Sequence, residues 1–350
     1  MDRSHVIDNG DINVKGLVGL GNRGNTCYLN AAIQCLSNLP ILTDFFLKNE
    51  HVADLKNQTK KIHGANMNNI ILTYEYDKLI KGLWSMSGSI EPKSFHEAIQ
   101  KCDPYFIGYE QQDSQEALSL IIDALHEGLS YESEMSYNGI IENSLDRIMV
   151  DSIEHFKIEL NGKYSKIVEL FFGQYINKTV SIETKEILSK KIERFNNISI
   201  PLYGKTLYDS LSKYFEKEIL EDEFLDDRTD EKVKVYRQMK MVRVPKYLII
   251  FLKRYSEKLN KLNRSISFPI DNLDLSAYCD GYDSVNCDLK LLSIGCHRGS
   301  FSGGHYFSIC RHLNGNWYKY DDKSVTEIDI QSECGNIFRD GYILIYEKND

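Results

Sequence analysis

The chain has 350 residues, 42% of them hydrophobic and 11% aromatic, with 42 Lys plus Arg against 51 Asp plus Glu. That size and composition suit one elaborate domain or a few small ones with a true core, and exclude a disordered chain, a collagen and a coiled-coil rod. The net charge of −9 argues against a protein held on nucleic acid by phosphate contacts.

Residues 1–15 are polar and read as a flexible N-terminal arm, without the charged-then-apolar layout of a signal peptide. The longest apolar run, residues 247–252, is of strand length, far short of the roughly 18–20 residues that span a bilayer. Eight cysteines without a CxxC pair are too sparse for a disulfide scaffold and imply a reducing compartment. These features predict a soluble intracellular protein, cytoplasmic or nuclear, monomeric, with no nucleic-acid or membrane partner.

Residues 27–46 predict a helix with Ala32, Ile33 and Leu36 on one side and Pro40 closing it. Residues 94–129 predict further helices, with Ala117, Leu118, Ile121, Ile122 and Leu125 at amphipathic spacing and Gly128 as a stop. Residues 130–165 read as an irregular surface excursion. Strands are expected at 167–175, 198–202, 233–244 and 247–255, interrupted by a helix at 207–220. The C-terminal part alternates strands with Gly-rich turns and ends in a strand at 341–346. A helical front and a strand-rich back make an α+β protein.

Two segments carry chemistry. Gly19-Leu-Gly-Asn-Arg-Gly-Asn-Thr-Cys27 is a glycine-rich turn entering a helix, with Thr26 or Asn25 as N-cap. Cys27 then sits in the first turn, where unpaired N–H groups and the helix dipole favour a thiolate. Gly21 and Gly24 would let a substrate backbone approach. A cysteine nucleophile also needs a base. Of nine histidines, His305 stands out: it follows Gly303-Gly304 and opens a strand, so its ring can project into open space. Cys296, His297, His305, Cys310 and His312 mimic a metal cluster, but strand alternation puts His305 and His312 on opposite faces, so no metal is expected. Asn314-Gly315 signals a hairpin that returns Asp321-Asp322 towards His305. A strict two-residue turn would place Asp322 on the histidine's face, and one extra loop residue would place Asp321 there. Spacing alone leaves that choice open.

Several strings together resemble the ubiquitin-specific proteases. Residues 19–36 look like that family's cysteine box. Gly-Gly-His305-Tyr followed by Trp317-Tyr-Lys-Tyr-Asp-Asp looks like its histidine box, Gln111-Gln-Asp-Ser-Gln-Glu-Ala-Leu118 like its QQDA helix start, and residues 247–255 like its core strand. The resemblance covers about residues 16–347. It implies a papain-like cysteine peptidase with a helical thumb (about 16–165), inserted fingers (about 166–245) and a β-rich palm (about 246–347). By the same resemblance Cys27 is the nucleophile, His305 the general base, Asp321 the third triad member, Asp322 its polar neighbour and Asn22 the oxyanion-stabilising amide. Asp113, Tyr306 and Gln111 would hold the substrate's C-terminal tail, and Asp113 also suits an N-cap in a capping box with Glu116.

Many family members bind a structural zinc through two CxxC pairs in the fingers. Here Ser181 and Thr184 stand at the first pair's place, and Leu225-Asp-Asp-Arg-Thr-Asp230 at the second's. Hydroxyls and scattered carboxylates are poor zinc ligands, so no cofactor is expected. Ser114 and Ala117 also depart from the usual Ala and Phe of the QQDA motif. The implied activity is thiol-dependent hydrolysis after the C-terminal glycine of ubiquitin, on ubiquitinated proteins or chains. The alternatives are an inactive ubiquitin-binding scaffold and a peptidase for a ubiquitin-like modifier.

Overall fold

The structure, a computed structural model, describes residues 15–60, 67–108, 110–255, 261–300 and 303–349. The expected N-terminal arm lies, but for Lys15, outside the described residues. Among those residues, no helix is long and apolar enough to cross a membrane.

An eight-stranded sheet organises the molecule. Its order runs Ser324–Ile328, Trp317–Asp321, Gly303–Arg311, Asp288–Ser300, Gly341–Lys348, Tyr247–Lys253, Ile198–Pro201, with Leu273–Asp274 beside Asp288–Ser300. Neighbours are antiparallel except Ile198–Pro201 and Tyr247–Lys253. The run 247–252 is buried on both faces, because alternate residues enter different cores. Tyr247, Ile249 and Phe251 join the helices Cys27–Ser37, Met67–Ser85 and Ser114–Leu129. Leu248, Ile250 and Leu252 join a second core with Phe307, Ile309 and the helix Ile330–Asp340. A separate four-stranded sheet, ordered Ile187–Phe195, Gly173–Ser181, Val235–Arg243, Glu218–Ile219, stands beside this layer.

Several expected elements take another form. The helix predicted over 27–46 is two, Cys27–Ser37 and Pro40–Leu47, and Pro40 opens the second rather than merely closing the first. A proline costs nothing at a helix start, where its missing N–H would be unpaired anyway. The strand expected at 167–175 begins as the helix Lys166–Phe171, capped by Ser165 Oγ on the Val168 amide, and turns to strand only at Gly173. Residues 130–165, expected to be irregular, hold the helix Ser144–Leu160 behind a full capping box of Asn143 and Asp146. Gly128 does not stop its helix, which runs to Leu129. Instead a Cβ there would stand 2.3 Å from Thr73 Oγ1, so the missing side chain lets two helices touch.

Candidate active site

Cys27 opens a helix whose every residue is buried, pressed between the sheet and the helix Ser114–Leu129. Its polar residues act as struts: Gln34 Nε2 donates to Val18 O at 2.9 Å, and Asn30 Nδ2 donates to Asp322 Oδ1 at 2.8 Å. The expected cap is built differently. Thr26 makes no side-chain cap, and Thr26 Oγ1 accepts instead from the Arg23 amide at 2.9 Å. Asn25 holds φ at +55°, a left-handed value that asparagine tolerates. The organiser is Asn22, whose Oδ1 accepts from the Gly24 and Thr26 amides, both at 3.1 Å, while its Nδ2 donates to Asp322 Oδ2 at 2.9 Å. A Cβ on Gly21 would meet the Glu91 carboxylate, the end of an exposed and flexible side chain, at 2.2 Å.

The hairpin resolves the choice between the two aspartates. His312 and Asn316 close the turn, with His312 N donating to Asn316 O and Gly315 N donating to His312 O, both at 2.9 Å. Three residues therefore lie in the loop, and Gly315 takes the left-handed φ of +92° that such a loop demands. The ladder pairs Ser308 with Tyr320 and Cys310 with Tyr318, which puts Asp321 on the face of His305 and Phe307. His305 Nε2 and Asp321 Oδ1 are 2.5 Å apart. Asp322, at φ +50°, turns the other way to the two asparagine amides.

His305 completes a chain from thiol to carboxylate. Hydrogen bonding to Cys27 raises its pKa most; partial burial opposes this and Asp321 adds to it, so the imidazole is pushed up to about 9. Burial alone would raise the Asp321 carboxyl, but Lys319 and His305 more than offset it and hold it below the usual range. Cys27 is buried, whereas the His305 side chain is 43% exposed.

Gln111 clips the strand that carries the histidine. Its Oε1 accepts from Gly304 N at 2.9 Å, its Nε2 donates to Gly304 O at 2.6 Å, and that nitrogen is 3.8 Å from Cys27 Sγ. Of the two glycines, only Gly303 faces open space; a Cβ on Gly304 would meet His297 Nε2 at 2.3 Å and Arg298 O at 2.4 Å. Asp113 caps the helix Ser114–Leu129 through Oδ1 and the Gln115 amide at 2.7 Å, and its Oδ2 accepts from Tyr342 OH at 2.6 Å. The capping box with Glu116 does not form, since the Asp113 side chain takes the Gln115 amide instead. Burial raises the Asp113 carboxyl. Tyr306 is buried, its ring 4.3 Å from that of His297, so it lies in the floor under the site.

The mimic of a metal cluster comes apart on the sheet. Cys296 belongs to one core and Cys310 to the other, and His312 stacks on Trp84 while its Nε2 meets Lys15 O at 2.6 Å. His305, Asp321 and Asp322 could each offer one ligand atom within 4.8 Å of the others. Their donors are already engaged: Asp321 by His305 and Lys319, Asp322 by Asn22 and Asn30. Asn30 and Lys319 are the site residues that motif reading passes over. Strand alternation could have found Lys319, two residues before Asp321 on the same face.

Comparisons with known proteins point to one family. The sequence model described as ubiquitin carboxyl-terminal hydrolase matches residues 18–346. Ubiquitin carboxyl-terminal hydrolase 2 of Homo sapiens is 29% identical over 348 residues, covering 95% of this chain and 55% of that protein. The chain thus spans about half the length of that relative, and likewise of its Rattus norvegicus counterpart. A probable ubiquitin carboxyl-terminal hydrolase of Acanthamoeba polyphaga mimivirus is 26% identical, with 98% of this chain and 92% of the viral protein aligned. Among solved structures, a chain of the SAGA DUB module Ubp8/Sgf11/Sus1/Sgf73 bound to monoubiquitin superposes with a TM-score of 0.74. It is 20% identical, over 99% of this chain and 72% of that one, and shares the α+β fold.

Proposed function

The chain belongs to the ubiquitin carboxyl-terminal hydrolase family, and we propose that it is a thiol isopeptidase cutting after the C-terminal glycine of ubiquitin. The observation that carries this reading is the His305 imidazole set between Cys27, the neighbour that raises it most, and Asp321, whose Oδ1 is 2.5 Å from its Nε2. Cys27 attacks the glycine carbonyl, His305 takes the thiol proton and passes it to the leaving amine, and Asp321 keeps the imidazole in register. The oxyanion meets the unpaired N–H groups of the first helical turn and the second hydrogen of Asn22 Nδ2, the first being held by Asp322. Water, activated by His305, then resolves the thioester. Asp113, Tyr306 and Gln111 hold the tail beside Cys27.

The same reading assigns the helical layer to a thumb, the eight-stranded sheet to a palm and the four-stranded sheet to fingers. Ile198–Pro201 pairs with Tyr247–Lys253, so this part of the finger insert belongs with the palm. We hold the fingers to be zinc-free. Ser181 Oγ caps the Thr184 amide at 3.1 Å, and Arg228 bridges Asp226 and Glu186 at 3.0 and 3.1 Å. Stoichiometric zinc in elemental analysis would overturn this.

The test uses ubiquitin carrying a C-terminal electrophile. The expected outcome is one adduct, mapped to Cys27 by mass spectrometry and absent in Cys27→Ser. A folded protein that forms no adduct with ubiquitin, yet forms one with a ubiquitin-like modifier, would move the activity to that modifier. Silence towards all of them would leave a binding scaffold.

A further inference from the structure

Asp321 has two oxygens, and His305 uses one. The other, Oδ2, accepts from Lys319 Nζ at 2.6 Å. Lys319 and Asp321 share a face of their strand, and the lysine ammonium lies 4.6 Å from the centre of the Phe307 ring. Arg298, on the neighbouring strand, has its guanidinium 5.0 Å from that ring but is committed to Asp340, with Nε to Oδ2 at 2.6 Å. Lys319 is thus left to Asp321, while Arg298 shares Asp340 with Arg339. A cavity of about 200 Å³ lies alongside, lined in part by Lys319, Arg298, Glu333 and Asp340, so the lysine also forms a wall next to the dyad.

We propose that Lys319 is a positioning residue for the reaction, which holds the Asp321 carboxylate with Oδ1 turned to His305 and tempers the strength of that pair. This deepens the reading of Cys27, His305 and Asp321 as a working triad and rests on it. The side chains of Asp321 and His305 are 30% and 43% exposed, so water competes for the carboxylate, whose terminal torsion is soft. A charged hydrogen bond on the second oxygen removes that freedom. The same positive charge opposes the imidazolium across the carboxylate. His297, on the adjacent strand with its Nδ1 2.8 Å from Tyr255 OH, is one of the other titratable groups that face His305. Cys27 faces it from the first helix, and Asp322, after the strand, is bound by two asparagines. Arg298 is the ladder partner of His305 on the adjacent strand and is bound by Asp340 of the last helix, while Glu333 faces the cavity from that same helix. Were Lys319 an ordinary surface ion-pair partner, its loss would barely change stability and would leave the chemistry alone.

The experiment compares the full chain with Lys319→Met and Lys319→Arg. His305 is titrated by NMR on protein with labelled histidine, its signal assigned through His305→Asn, and kcat and KM are measured against pH on a ubiquitin C-terminal fluorogenic amide. In Lys319→Met the His305 pKa is expected to rise by roughly half a unit to one unit as the opposing charge is lost. The alkaline limb should follow it upward. The kcat should fall on the order of tenfold at little change in KM, short of the roughly 10²–10⁴-fold that loss of a general base costs. Lys319→Arg should restore both. An unmoved His305 titration in Lys319→Met overturns the proposal, and so does a kcat loss that arginine does not restore and that tracks a lower melting temperature. If the native chain turns over no ubiquitin substrate, the functional reading fails, and the titration still decides the part played by Lys319.

Discussion

One carboxylate separates a histidine in a cleft from a general base. His305 is pushed up to about 9, with Cys27 contributing most and Asp321 next among the raising interactions. A raised histidine keeps its proton up to that pH, so the imidazolium persists across neutral pH and is lost above about 9. A pH profile of kcat/KM should therefore show its alkaline limb near 9. In Asp321→Asn the limb should move to lower pH, because the imidazolium loses its carboxylate, and kcat should fall by about 10²-fold or more. The corresponding change at Asp322 acts elsewhere: Asp322→Asn loosens the Asn22 amide and should lower kcat while leaving the limb in place. Cys27, His305 and the Asp pair could be picked out as candidates because a nucleophile, a base and an orienter demand particular residue types in a particular order. Which aspartate faces the histidine was not legible, because it hangs on the loop bonds between His312, Gly315 and Asn316 rather than on any side chain's identity.

At the scale of elements, that loop is a register device. One glycine inserted after Gly315 would advance the returning strand by a position and turn Asp321 away from His305. Such an insertion should abolish turnover in a ubiquitin–amide assay and also lower the urea midpoint, because the slip moves Trp317, Tyr318 and Tyr320 out of the cores they fill. The touching helices bear on stability alone. Gly128→Val would push two methyls into Thr73 and should cost about 1–3 kcal/mol, read as a lower urea midpoint, at a site far from the chemistry. The missed elements share a physical cause. Of Ser144–Leu160 only Ser152, Phe156 and Leu160 are buried, a stripe too narrow to announce a helix. Lys166–Phe171 is a short apolar run, which periodicity cannot assign between helix and strand.

For the molecule as a whole, one sheet serves two cores, and a buried cation helps to join it to the last helix. Arg254, at the end of the core strand, is fully buried. Its guanidinium bonds the carbonyls of Gly341, Arg264 and Phe338, the last two at 2.7 Å. Burial pulls its pKa down to about 10, still well above neutrality, so it stays charged and satisfied. Arg254→Met would keep the volume but strand three carbonyls, and should cost about 3–5 kcal/mol in denaturant unfolding, with the active-site pH profile unchanged in the fraction that folds. The motif strings located this arginine without its purpose, because its three partners lie in a loop and at the end of a helix distant in sequence.

The strand that bears His305 gains its outer neighbour only from Ser308 onward, so its first residues present unpaired backbone groups on that side. At Gly304 the amide of Gln111 fills this gap, giving and taking one hydrogen bond as an adjoining strand would. A side chain thus impersonates backbone at a raw sheet edge. The edge is denied to any foreign chain seeking to extend the sheet, a second copy of this protein included, at the spot where a gap has to stay open.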